Sequence, residues 1–427
     1  MKVLMFGWEF PPHITGGLGT ASFGLTKAMM KQGLEILFVV PKAYGDENQE
    51  AVRIVSCEEM EVDINNPIYA QYRNQISYIT IDSKLIPYQT EDEYYRMMNS
   101  SEEGLLEHQS LYSKKYNFSG GYGRNLYEEV ERYALVAATI AAKYDFDVIH
   151  AHDWLTYKAG VEARRVSGKP LFIHVHATEF DRSGEDNLNP HVYGVEKYGM
   201  DQADHIFTVS NLTKDIVTKK YGQSPNKITT VHNGVEVNWR DLAVLEKTIP
   251  EKIVTFLGRV TFQKGPGYFV DAAYKVLQKD PNVRFVMAGS GDMLNDMVSK
   301  AAQMGIADKF HFTGFLKGED VDRMFSMSDV YVMPSVSEPF GISPLEAMQS
   351  GVPVIISKQS GVSEVLEYAI KVDFWDVDAM ADAIYGLLHY PSLEKTLKKY
   401  GEKEAYSIQW DKAAEIIKIE YNKLINK

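Results

Sequence analysis

Cysteine is almost absent: Cys57 is the one thiol in a chain of 427 residues. That excludes an internal disulfide and a cysteine-rich zinc site, and it points to a reducing compartment. Long hydrophobic runs are missing as well. No stretch approaches the roughly eighteen uninterrupted apolar residues of a membrane span. The opening MKVLMFGWEFPP meets Pro11-Pro12 where the apolar region of a signal peptide would continue, so the expected location is the cytoplasm. Positive charge is in deficit. With 45 Lys and Arg against 58 Asp and Glu, the net charge of −13 argues against nucleic acid and anionic membrane as main partners. The dinucleotide fingerprint G-x-G-x-x-G does not occur, and neither does an internal repeat or a low-complexity segment.

What is present is an alternation of short apolar runs with longer amphipathic ones, the pattern of parallel sheets joined by crossover helices. The length suits two domains. Strands are expected at Lys2–Phe6, Glu35–Val40, Ile76–Ile81, Asp147–His150, Leu171–Val175, His205–Val209 and Ile228–Val231. A second series runs Ile253–Leu257, Arg284–Ala288, Lys309–Phe312, Val330–Met333 and Val352–Ile356. Helical patterns include Thr20–Lys31, Asn125–Lys143, Gly267–Gln278, Val377–His389 and Asp411–Ile425. The polar stretch Asn238–Glu251 separates the series and reads as a linker. This divides the chain into a first domain over 1–240, a second over 250–407 and a tail over 408–427. Residues 43–123 break the alternation and hold Tyr69, Tyr72, Tyr78, Tyr88, Tyr94, Tyr95, Tyr112, Tyr116 and Tyr122. These rings are equally consistent with platforms for sugar faces and with half-buried filler in an irregular insertion.

Two segments carry the most chemistry. Gly258-Arg-Val-Thr-Phe-Gln-Lys264-Gly265 follows an apolar run, which puts Arg259 and Lys264 at the carboxyl end of a strand, where open α/β sheets bind ligands. Glu338-Pro-Phe-Gly-Ile-Ser-Pro-Leu-Glu346 runs from a Gly/Pro turn around Phe340 into a helix. Its N–H groups at Gly341, Ile342 and Ser343 can therefore point at one ligand. Two cations suit a diphosphate, and two carboxylates suit sugar hydroxyls. Together they read as a nucleotide-diphospho-sugar pocket.

The pair resembles the donor-site signature of retaining glycosyltransferases of the GT-B fold, family 4 and its glycogen and starch synthase relatives. The resemblance implies two Rossmann-like α/β domains of doubly wound parallel sheet facing across a cleft, with the final helix, behind Trp410, crossing back to the first. Gly16-Gly17-Leu18-Gly19 is similar to the synthases' K-x-G-G-L-G loop, with Ile14 in place of the lysine. That likeness puts Gly16, Gly17 and Gly19 under the donor. His150-Ala-His152-Asp153-Trp154 is similar to their H-x-H-D-W segment, which implies an acceptor-side role for His152 and Asp153; Asp153 also reads as a helix N-cap. His174-Val-His176-Ala-Thr-Glu179 resembles a segment that lines the donor sugar. Of its two histidines, which alternation puts on one face, His176 is the one assigned to the anomeric centre. The resemblance further gives Glu338 the sugar hydroxyls, Glu346 the ribose hydroxyls and Gly289 a close approach to the nucleotide, with Gly314-Phe315-Leu316 beside the base.

Three D-x-D strings, Asp145–Asp147, Asp320–Asp322 and Asp376–Asp378, read as helix caps or surface positions. No cofactor and no metal is expected, since Arg259 and Lys264 supply the positive charge. The implied reaction is hexosyl, first glucosyl, transfer from UDP- or ADP-glucose to an α-1,4-glucan. A small sugar phosphate or a cell-envelope saccharide is the alternative acceptor, and a GT-B epimerase or non-catalytic binder the alternative class.

Overall fold

The computed structural model describes residues 1–13, 17–47, 52–63, 66–69, 115–123, 125–184, 187–236 and 249–425. The first half is built on strands β1 (Lys2–Phe6), β2 (Glu35–Val40), β3 (Arg53–Ser56), β4 (Val148–His152), β5 (Leu171–Val175), β6 (His205–Thr208) and β7 (Ile228–Thr230). Its helices are α1 (Gly17–Lys31), α2 (Leu126–Lys143), α3 (Trp154–Ser167), α4 (Glu179–Ser183), α5 (Pro190–Gln202) and α6 (Asn211–Tyr221). The second half holds β8 (Lys252–Leu257), β9 (Val283–Ala288), β10 (Phe310–Gly314), β11 (Val330–Met333), β12 (Val354–Ser357) and β13 (Ile370–Val372). Around them lie α7 (Pro266–Lys279), α8 (Leu294–Gln303), α9 (Glu319–Met327), α10 (Ser343–Gln349), α11 (Val377–His389), α12 (Pro391–Ser407) and α13 (Trp410–Ile425).

Each half forms its own parallel sheet, of seven strands in the order β3-β2-β1-β4-β5-β6-β7 and of six in the order β10-β9-β8-β11-β12-β13. The central strands are buried along their length, as Val148–His152 and Leu171–Val175 show, because helices cover both faces. Chain order reverses direction between β1 and β4 and again between β8 and β11. Those are the switch points at which strand ends leave a crevice for a ligand. Two strands were not anticipated from the sequence, β3 and β13. Both are short, lie at sheet edges and are only partly buried, so their hydrophobic signal is weak. The expected strand Ile76–Ile81 lies outside the described residues.

The last helix, α13, packs on the first half. Trp410, Ala413, Ala414, Ile417 and Tyr421 share one apolar cluster with Val3, Met5, Leu25 and Phe172. Gln32 Nε2 donates to the Asp411 carbonyl at 2.8 Å, and a Cβ on Gly24 would stand 2.2 Å from the Trp410 indole nitrogen. The chain thus crosses between the halves twice, and the crossings touch: Val235 N–H donates to the Ile408 carbonyl at 3.0 Å. Of the tyrosines in 43–123, Tyr69 and Tyr116 are fully buried in the first core and Tyr122 packs against it. Those three are filler rather than sugar platforms; Tyr72, Tyr78, Tyr88, Tyr94, Tyr95 and Tyr112 lie outside the described residues.

Candidate active site

β4 and β5 end side by side in parallel register, with His152 opposite His174. Asp153 follows β4 at the N-cap position of α3, but it makes no capping bond. Its backbone takes φ 58°, and the carboxylate reaches across to the next strand end, accepting from His176 N–H at 2.7 Å and Ala177 N–H at 3.3 Å. The capping role expected from sequence is corrected here: the carboxylate is spent on positioning His176. Positive φ costs less for Asp than for most residues and marks a backbone held by its surroundings. Burial pushes the carboxyl up to about 7, opposed by the Arg182 guanidinium and the two N–H donors.

His174 and His176 do share a face, their rings stacked at 4.4 Å. His174 is sealed beneath, while His176 is half-buried at the strand end. His176 Nε2 is hydrogen-bonded to His152 Nδ1 at 2.9 Å, so His152 backs His176 rather than reaching outward. Burial lowers the His176 imidazole to about 3, which keeps the ring neutral at pH 7. Beyond it, Arg182 forms a buried ion pair with Glu179 at 3.1 Å and another with Glu196, so the turn carrying His176 rests on a fixed charge network.

The glycine loop differs from expectation. α1 already begins at Gly17, so Gly17 and Gly19 belong to its first turn. The N–H of Gly19 donates to buried Glu9 at 3.2 Å, which leaves a carboxylate where an anion was expected. Gly16 and Ile14 lie outside the described residues.

In the second half, the β8 and β9 ends are stitched together. Val260 N–H donates to Ser290 O at 2.9 Å, and Met293 N–H to Val260 O at 3.0 Å. Gly289, at φ 140°, touches this turn so closely that a Cβ would lie 1.8 Å from the Gly258 carbonyl. The glycine is therefore required for packing of the turn, beside Gly314, whose carbonyl accepts from Gly289 N–H at 2.8 Å. Arg259 Nη2 donates to Gln263 Oε1 at 3.3 Å. Lys264 Nζ sits 2.5 Å from Glu338 Oε2, which also accepts from Ser335 Oγ at 3.2 Å. The cation assigned to phosphate and the carboxylate assigned to sugar thus neutralise each other. A ligand carrying both an anion and hydroxyl donors would offer each of them a complementary partner in place of that single contact.

Gly341, at φ 98°, makes the turn that returns the chain to α10. No acceptor among the described residues takes the N–H groups of Gly341, Ile342 or Ser343. Phe340 does not line the pocket with its ring; it is 2% exposed and packs with Leu345 and Val362. Ser343 Oγ is hydrogen-bonded to Tyr331 Oη at 2.7 Å. Glu346 is half-buried in the first turn of α10, and its carboxyl is raised to about 7 by burial first and by neighbouring Asp322 second. Asp322 was expected to be a helix-border residue only; its proximity to Glu346 could not be read from spacing. Asp376 does cap α11, accepting from Ala379 N–H at 3.0 Å, whereas the Asp147 carboxylate accepts from Lys2 N–H at 2.7 Å and caps nothing.

Among the described residues, two polar side-chain contacts join the halves, beside an apolar cluster of Val209 and Val235 with Phe340 and Val362, and neither was anticipated. Ser337 Oγ, next to Glu338, donates at 2.6 Å to Asp181 Oδ1, in α4, the short helix that follows His176. Glu364 accepts from the N–H groups of Asn211 and Leu212 at 2.9 and 2.8 Å and meets His232 Nε2 at 2.8 Å. It caps α6 from the other domain. No periodicity or local motif announces such a partner.

The whole constellation invites comparison with known proteins. The family described as starch synthase catalytic domain matches residues 2–230, more than half of the chain, and glycosyl transferases group 1 matches residues 238–404. The chain belongs to the starch synthase catalytic domain family. It is a GT-B glycosyltransferase of group 1. An uncharacterized glycosyltransferase of Methanocaldococcus jannaschii is 26% identical over 97% of this chain and 96% of its own. The glycogen synthase of Mycobacterium tuberculosis is 23% identical over 92% of this chain and 87% of its own. Among solved structures, the sucrose-phosphate synthase of Thermosynechococcus elongatus superposes with a TM-score of 0.72 at 18% identity, covering 100% of this chain and 99% of that one. That likeness is one of fold. No helix among the described residues of the glycosyltransferase is long and apolar enough to cross a membrane.

Proposed function

We propose that this glycosyltransferase moves a glucosyl unit from UDP- or ADP-glucose to a hydroxyl of an α-1,4-glucan with retention of anomeric configuration, as a member of family 4. The observation that carries this reading is the 2.6 Å bond from Ser337 to Asp181, which ties the Glu338 loop to the His176 turn. That link supports a reading in which phosphate-type and sugar-type groups of one domain meet the neutral imidazole of the other.

In the reaction the bond from the anomeric carbon to the diphosphate breaks, and positive charge grows on the sugar while negative charge grows on the leaving group. Arg259, Lys264 and the N–H groups at 341–343 stabilise that leaving charge. Release of Lys264 from Glu338 frees the carboxylate for sugar hydroxyls. His176, held neutral, lines the anomeric side without adding positive charge to a cationic centre. The acceptor proton passes to the departing phosphate on the same face, and the acceptor oxygen forms the new bond there. No metal takes part in this scheme.

The test is nucleotide release from a panel of UDP-, ADP- and GDP-sugars, with glycogen, a hexose phosphate or no acceptor. Release that depends on glycogen, with radiolabel recovered in a product that amyloglucosidase digests, supports the proposal. Release only with the hexose phosphate moves the acceptor assignment to a small molecule. Interconversion of donor sugars without acceptor makes the protein an epimerase.

A further inference from the structure

The histidines of β4 and β5 hold chemistry that glucosyl transfer leaves unused. His150, His152 and His174 are sealed in the core, and one nitrogen of each lies within 4.8 Å of the others. The proton positions in this cluster follow from its partners. Among the described residues the buried Tyr421 hydroxyl of α13 has one partner, His150 Nδ1, and a buried O–H left without an acceptor is costly, so it donates there. His150 therefore carries its own proton on Nε2 and donates to His174 Nδ1 at 3.3 Å. His174 must then hold its proton on Nε2, which is buried with no acceptor among the described residues; His152 Nε2 is buried without a partner among them too. Two orphaned imidazole nitrogens in one cluster call for a ligand.

We propose that His150, His152 and His174 form a binding site for a divalent transition-metal ion, of which Zn²⁺ and Co²⁺ are the test cases. Neutral imidazoles suit these ions and not Mg²⁺ or Ca²⁺, which demand oxygen ligands. One nitrogen of each ring lies within 4.8 Å of the others, and a tetrahedral ion at about 2.0–2.1 Å from each would draw its ligand atoms to ~3.4 Å apart. The rings are now stacked, with His150 and His152 at 4.5 Å and 12°. Loading turns them about the Cβ–Cγ bond, a broad torsion for histidine. His150 shifts its proton to Nδ1 and donates it to Tyr421, which becomes the outer partner that ligating histidines usually have. His152 binds through its orphaned Nε2 and keeps its contact with His176 through Nδ1. Every ligand stays neutral, so no proton is lost, and a water completes the tetrahedron.

A dication here stands one hydrogen bond from His176. On the reading that His176 lines the anomeric carbon, it opposes the positive charge that grows there, so occupancy inhibits transfer. Chelator-treated protein without a purification tag, titrated with Co²⁺, tests the site independently of that reading. One tetrahedral Co²⁺ per chain, with strong absorption at roughly 500–650 nm, is expected. His174→Gln and, separately, His152→Asn should abolish the band in variants whose circular dichroism is unchanged, and Tyr421→Phe should weaken binding ~10–100-fold. Absence of the band, or its persistence in both histidine variants, overturns the site. Loss of the band in His13→Ala instead would assign the ion to the exposed cluster of His13, Asp46 and Glu47 and overturn it equally. Tight binding with unchanged nucleotide release would keep the site and remove its inhibitory role.

Discussion

At the residue scale, the pairing of Lys264 with Glu338 changes what a deletion means. Arg259→Ala removes one donor to a developing anion and should lower turnover about 10²–10³-fold, with thermal stability little altered. Lys264→Ala should cost as much in rate, but it also leaves the mostly buried Glu338 without its counter-charge, so its melting temperature should fall as well. Lys264→Ala combined with Glu338→Gln should recover the stability and not the activity. Near-normal turnover of Arg259→Ala would remove the diphosphate assignment. A second residue-scale prediction concerns pH. Burial raises the Glu346 carboxyl to about 7 in the folded protein, so at pH 6 it is largely protonated and a weaker acceptor for ribose hydroxyls. Donor affinity, measured calorimetrically with a nucleotide diphosphate, should therefore rise between about pH 6 and 8. In Glu346→Gln that rise should disappear; an unchanged profile would mean another group titrates. For folding the sign is opposite. A carboxyl raised above its unfolded value destabilises as pH climbs from the usual Glu range toward 7.

At the element scale, α6 begins at Ser210 with an N–H cap of its own, yet its first two N–H groups are taken by Glu364 of the other domain. A carboxylate at a helix start is favoured by the unpaired donors and the dipole together. Glu364→Ala should weaken the docking of the two domains. Small-angle scattering should then show a larger radius of gyration without donor, and the donor KM should rise more than kcat falls. A parental scattering profile with parental KM would make the contact incidental. The same carboxyl lies below the ordinary Glu range because His232 and the two N–H groups favour its ionised form, despite its partial burial. Its contribution is present above the unfolded value and is lost as pH falls through the lower folded one.

At the scale of the whole molecule, α13 brings the chain back from the second domain into the core of the first. Trp410 is 5% exposed between Gly24 and the Gly234 turn, and a Cβ on Gly234 would lie 2.3 Å from the Trp410 backbone nitrogen. Trp410→Ala should destabilise by about 3–5 kcal/mol, read from denaturant midpoints at constant slope. Loss confined to the second domain would contradict the packing described here, because the cavity opens in the first. Chelation makes the other global prediction. On the proposed mechanism cation side chains rather than a bound ion neutralise the diphosphate, so EDTA should leave transfer intact. Loss of activity that Mg²⁺ or Mn²⁺ restores would reverse the dismissal of the D-x-D strings, Asp322 above all, since it already neighbours Glu346.

The sequence by itself determined the sheets and the fold class, because buried parallel strands need continuous apolar runs and helices need amphipathic ones, and both are local patterns. It also placed Arg259, Lys264, Glu338 and Glu346 at strand ends and helix starts, since those positions follow from strand boundaries. Edge strands such as β3 and β13 stayed hidden because half-exposed segments lack that pattern. The rest was decided by residues distant in sequence. Asp153 looked like a helix cap because only its own helix was visible; the neighbouring strand supplied the better donors at His176 and Ala177. Phe340 belonged to a ligand motif by spacing, and packing turned its ring into the core. The Lys264–Glu338 pair, the Glu364 cap and the link from Tyr421 to His150 join residues 74, 153 and 271 positions apart. Hydrogen bonds and charges act over a few ångströms whatever the separation along the chain, so only the folded backbone could choose those partners.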